Sequence, residues 1–198
     1  MACFNKIVLV LGGLAFSNAC NIFVSEVSEG EKSFIVDKHN ELRRLIANDA
    51  VEGQPRGVNL KALKYDDALA GAAQQIANSC VFAHQTVTDS RWQAVGQNLY
   101  IYMSTAYDTA SDWDSAIQDW FNEHQFYTFN NGFDSATGHY TQLVWADTEY
   151  VGCGYAAYET DDAYRYQKLY VCNYGPAGNY IGQYPYQTGD SGCEDLLH

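Results

Sequence analysis

Two tyrosine-rich segments, Val151–Tyr158 and Arg165–Tyr174, constrain the fold of this chain more than any other feature. Both are rich in the aromatic and β-branched residues that suit a pleated surface, and the acidic turn Thr160-Asp161-Asp162 separates them. They predict an antiparallel hairpin, and residues 94–102 read as a further strand. Helical spacing comes earlier in the chain. Ile35, His39, Leu42 and Ile46 recur at steps of four, three and four from Phe34 onward. Asp66 predicts the N-cap of a second helix, with Leu69, Ala73, Ile76 and Cys80 on one face. Asp112 does the same for a third, burying Trp113, Ile117 and Trp120, with His124 at the far end. Residues 20–33 read as a polar lead-in, residues 49–60 as a loop, and the periodicity of Gly138–Trp145 fixes no type. Helices interspersed with a hairpin indicate a mixed α/β sandwich with a largely antiparallel sheet, not a doubly wound nucleotide fold.

The first residues have the layout of a secretory signal. Lys6 gives the positive start, Ile7–Phe16 the apolar run, and Ser17-Asn18-Ala19 the small residues that predict cleavage after Ala19. That run is too short to span a bilayer. A secreted, extracellular protein is expected, and its cysteines are read in an oxidising compartment. Of six Cys, Cys3 leaves with the signal, so Cys20, Cys80, Cys153, Cys172 and Cys193 remain. Their spacing is too wide for a zinc knuckle and favours disulfides, with an odd cysteine over.

Charge narrows the partners. Asp and Glu number 24 against 11 Lys and Arg, a net charge of −13, which repels phosphate backbones and anionic lipid surfaces. Nucleic acid is excluded as a partner. The 16 tyrosines, each with an apolar face and a polar tip, suit recognition surfaces.

His84, after the second helix, His139, and Glu123, closing the third, are the residues most able to carry chemistry. Imidazoles with a carboxylate suit a divalent ion or acid–base work, although no H-E-x-x-H or other local metal spacing occurs. Gly189-Asp190-Ser191-Gly192 mimics a serine-protease loop but is read as coincidence, because the chain lacks the double-barrel context that loop requires.

Four motifs carry a resemblance. Gly138-His139-Tyr140-Thr141-Gln142-Leu143-Val144-Trp145 and Leu169–Tyr180 are similar to the two signatures of the CAP superfamily, which comprises cysteine-rich secretory, antigen-five and pathogenesis-related-one proteins. His39-Asn40-Glu41-Leu42-Arg43 and Gly96-Gln97-Asn98-Leu99 resemble its first-helix and strand motifs, in the family's order. The Gln97 variant and Gly152-Cys153-Gly154 make the chain most similar to invertebrate antigen-five proteins.

The resemblance implies a three-layer α-β-α sandwich, disulfide-braced, over residues 34–182, with residues 183–198 as a tail. It implies a cleft tetrad of His84, Gln97, Glu123 and His139, in which Gln97 departs from the family's acid. Zinc or a similar ion would be held by His84 and His139, weakly, because one carboxylate is missing. His39 would be structural. It implies a Cys153–Cys172 bridge and pairs Cys80 with Cys20, or with Cys193 if cleavage removes Cys20. Tyr100, Tyr102 and Tyr107 fit the aromatic loop of sterol-binding members. The function implied is binding, of a small apolar ligand such as sterol or fatty acid or of an extracellular protein. A metal-dependent hydrolase using Glu123 is the alternative.

Overall fold

The computed structural model describes residues 20–193 and Leu196; the leader and its expected cleavage point lie outside the described residues. Local capping sets the helix starts. Ser28 and Glu31 form a reciprocal capping box, the serine hydroxyl accepting from the Glu31 amide and the carboxylate from the Ser28 amide. Helix α1 therefore runs over Glu29–Ala47, five residues ahead of the expected Phe34, and strand β1 (Asn21–Val24) precedes it. The segment read as a lead-in is structured because β1 pairs with a strand more than a hundred residues away.

Strand β2 (Lys64–Tyr65) leads into α2 (Asp67–Ala77), capped by Asp66, whose carboxylate accepts from the Leu69 amide at 2.8 Å. The helix stops at Ala77, so Cys80 sits in the following turn, at φ 55°, and not on the helix face. Next come β3 (Gly96–Ser104), α3 (Trp113–Asn122), capped by Asp112, and α4 (Gly138–Leu143), which gives the undecided segment its type. Strands β4 (Tyr150–Glu159) and β5 (Tyr166–Gly175) form the expected hairpin.

The sheet order is β1-β4-β5-β3, antiparallel throughout, with β2 added in parallel to the start of β4. Alternation along the strands divides the core in two. Val151, Cys153, Tyr155, Tyr170, Cys172 and Tyr174 face α1, α3 and α4. Ala156, Tyr158, Leu169 and Val171 face Ala73, Ile76 and Ala77 of α2. The result is the expected α-β-α sandwich. Helix α2 lies directly on the sheet because Gly152 and Gly154 carry no side chain: a Cβ at Gly154 would stand 2.3 Å from the Gln74 amide nitrogen.

Arg43 is fully buried among acceptors. Its guanidinium donates to the carbonyls of Lys61, Leu143, Trp145 and Thr148, so it ties the segment before β2 to the end of α4 and the turn after it. Two disulfides brace the fold. Cys153 and Cys172 are directly opposed in the hairpin register, and Cys20 ties the chain before β1 to Cys80. Cys80 thus takes Cys20, while Cys193 is buried with its sulfur accepting from the Leu60 amide at 3.0 Å.

Candidate functional site

The tetrad residues form two pairs beside β3, the edge strand. The first pair joins Glu123, the C-cap of α3, to His139 in the first turn of α4. His139 Nδ1 donates to Glu123 Oε1 at 2.6 Å, and Glu123 Oε2 accepts the main-chain amides of His139 and Tyr140 at 3.0 and 3.1 Å. These two amides belong to the first turn of α4, whose N–H groups have no intrahelical partner. Trp120 gives the imidazole a floor, with ring centroids 6.3 Å apart and planes inclined by 24°. That indole is itself fixed by donating to the Leu99 carbonyl of β3 at 3.0 Å.

The second pair joins the loop between α2 and β3, which carries His84, to Gln97 at the start of β3. His84 is exposed, and its Nδ1 donates to Gln97 Oε1 at 3.0 Å. Gln97 also binds both main-chain groups of Gln85 and the side chain of Asn173. The next residue, Asn98, joins the pairs: its Nδ2 donates to the His139 carbonyl at 3.0 Å and to the Tyr174 hydroxyl at 3.3 Å. Tyr174 in turn meets His39, which is wholly buried and has no place at the surface. Asn98 and Asn173 were not singled out from sequence, although both lie inside the motifs quoted above.

The donor set defines what ion could fit. Each imidazole has its Nδ1 committed, and no hydrogen bond to either Nε2 occurs among the described residues. Among these residues no group of three or more His, Cys, Asp or Glu gathers to hold a metal. Among the described residues the site therefore holds no closed three- or four-ligand centre, and the donor atoms left for an ion are the two imidazole Nε2.

The aromatic residues divide. Tyr100 and Tyr102 lie on the strand expected over residues 94–102 and not in the loop the resemblance implied, because the ladder with β5 continues from Gly96↔Tyr174 to Ser104↔Tyr166. With Tyr170 and Ala110 they line a groove of about 410 Å³, edged by Asp108, Ser111, Asp112, Ser115 and Lys168. Tyr107 lies apart from it, edge-on to Phe23 and Tyr166 at 5.2 and 5.4 Å.

Residues 36–174 match the model of the CAP family, the cysteine-rich secretory proteins, and the chain belongs to that family. Within it, similar proteins include a salivary antigen and venom allergens. The salivary antigen-5 of Dipetalogaster maximus is 39% identical over 96% of this chain and 82% of its own length. Venom allergen 5.02 of Dolichovespula maculata is 38% identical over 83% and 80%. Among solved structures, BmVAL-1 superposes with a TM-score of 0.70 at 27% identity, covering 84% of this chain and 86% of that one. The structure of NaASP2 with Zn2+ gives 0.64 at 28%, covering 82% and 88%. No helix among the described residues is long and apolar enough to cross a membrane.

Proposed function

We propose that this chain is an extracellular antigen-five-like protein that acts by binding. His84 and His139 offer a weak, exchangeable seat for zinc or a similar divalent ion, and the Tyr100–Tyr102 groove accepts a small apolar ligand such as a sterol or fatty acid. The observation that carries the reading is the state of Glu123. Three donors from His139 and Tyr140 take three of the roughly four acceptor sites of this carboxylate, so Glu123 serves chiefly to hold His139 and the first turn of α4. A zinc hydrolase also normally holds its ion by three protein ligands, where two imidazoles are offered here. When bound, the ion supplies a positive centre that a ligand oxygen or water can complete. The Zn2+ in the structure of NaASP2 supports the ion assignment, and the salivary and venom origin of the relatives supports the extracellular one.

The groove supplies the second function. Its tyrosine rings offer apolar area, while its Ser, Asp and Lys side chains suit a hydroxyl or carboxyl at one end of a ligand. Burying roughly 200 Å² of apolar ligand surface contributes about 5 kcal/mol before ordering costs. The test is to assay zinc-loaded protein on casein, peptides and esters beside Glu123→Gln, and to titrate labelled sterol and fatty acid against wild type and Tyr102→Ala. Expected are no turnover and a lipid affinity that falls in Tyr102→Ala. Turnover that disappears in Glu123→Gln would overturn the binding role, and absence of lipid uptake would leave an extracellular protein as the partner.

A further inference from the structure

Building on the divalent-ion role proposed above, we infer that Gln97 is a positioning residue for His84, and that its surroundings require an amide there in place of a carboxylate. The requirement starts on α2. The Leu69 carbonyl can only accept, so Asn173 must turn its Nδ2 toward it, at 3.1 Å, and its Oδ1 away. Asn173 is completely buried, so that oxygen needs a donor, and Gln97 Nε2 supplies one at 3.0 Å. The Gln85 main chain reads the same amide from the other side. Its N–H donates to Gln97 Oε1 at 3.1 Å and its carbonyl accepts from Nε2 at 3.2 Å.

Both hydrogens of Nε2 and the acceptor capacity of Oε1 are thus in use, which fixes which end of the amide faces His84. Nδ1 of His84 meets an acceptor at 3.0 Å and therefore carries the ring proton, leaving Nε2 as the nitrogen able to ligate. A one-way chain of hydrogen bonds runs from Leu69 through Asn173 and Gln97 to the imidazole. Glutamate at position 97 would bring acceptors only, setting a carboxylate against the Gln85 carbonyl and the Asn173 oxygen. The added charge would attract a cation, but the loop that carries His84 would lose its latch. Hydrogen-bond partners of ligating histidines change metal affinity by about 10- to 100-fold, enough for the lost latch to offset the charge.

The experiment compares wild type, Gln97→Glu and Gln97→Leu by ¹⁵N-histidine NMR at pH 8, by amide exchange at Gln85, and by zinc titration. Wild-type His84 is expected in the Nδ1–H form. Gln97→Leu should lose that preference and bind zinc about tenfold more weakly. In Gln97→Glu the Gln85 amide should exchange about tenfold faster, with zinc binding no tighter than in wild type. Tenfold tighter zinc binding by Gln97→Glu with Gln85 still protected would overturn the inference, as would wild-type His84 in the Nε2–H form. If wild type takes up no zinc while the tautomer and the Gln85 protection hold, the ion role fails and the positioning role of Gln97 stands.

Discussion

The hydroxyl of Tyr174 on β5 donates to His39 Nε2 on α1 at 2.9 Å, in the centre of the sandwich. The direction is fixed by the other ring nitrogen. His39 Nδ1 lies 2.7 Å from the Ile35 carbonyl, which can only accept, so Nδ1 carries the proton and Nε2 is left as acceptor. Tyr174 also receives the Asn98 amide, and Asn98 holds the His139 carbonyl. The first-helix motif therefore supports the cleft from within the core.

This arrangement needs a neutral imidazole, which gives a pH dependence. Burial pushes His39 down to about 4, with the Ile35 hydrogen bond opposing and the Arg43 charge adding to the shift. The unfolded chain takes up its proton near pH 6.5 and the folded chain only near 4, so the unfolded state binds more protons between these values. Stability is full above about pH 6.5 and falls by about 3 kcal/mol on acidification to pH 4. Urea unfolding of wild type and His39→Gln at pH 7, 5.5 and 4.5 checks it: the variant should be less stable at pH 7 but show a flatter profile. Burial lowers His124 as well, so a smaller slope should persist in the variant. Equal slopes for the two proteins would contradict the account.

Close approach of α2 to the sheet predicts opposite outcomes for two glycines. Gly154→Ala puts a Cβ against the Gln74 backbone, which cannot give way as a side-chain tip could, and should cost about 3 kcal/mol or more. Gly71→Ala lies on the exposed side of the same helix with nothing within 4 Å and should stabilise by about 1 kcal/mol. Thermal melts of the two variants should shift in opposite directions.

The bridges are checked chemically. Non-reducing peptide mapping should recover Cys153 joined to Cys172 and Cys20 joined to Cys80. The hairpin bridge closes a loop with a separation of 19 residues, which in the loop-entropy model contributes about 3 kcal/mol. The double variant Cys153→Ala/Cys172→Ala should lose about that amount, and a peptide joining Cys153 to Cys80 or Cys193 would refute the topology.

What was legible in the sequence was what local chemistry decides. The hairpin could be read because tyrosine-rich strands and an acidic turn are adjacent in the chain, and Asp66 and Asp112 mark their helices through bonds to residues three positions on. β1 is hard to read because Asn21–Val24 is only four residues, too short to display a period, and becomes a strand through pairing with the far end of β4. α4 is six residues long, too short to display a period. The strand read over residues 94–102 holds Tyr100 and Tyr102, whereas the family resemblance put them in an aromatic loop, and only the ladder with β5, which continues to Ser104, decides between the two. In the site, His139 lies in a quoted motif and Glu123 closes the third helix, but the four-fold engagement of Gln97 includes Asn173, 76 residues away. Only the folded arrangement reveals it.

The proposed divalent-ion role needs both imidazoles, each presented through its Nε2. Calorimetric titration of zinc into wild type, His84→Ala and His139→Ala at neutral pH tests it most directly. The account predicts weak one-site binding by wild type, reduced at least tenfold in each variant, because neither imidazole alone makes a site. Equal zinc uptake by all three proteins would contradict it.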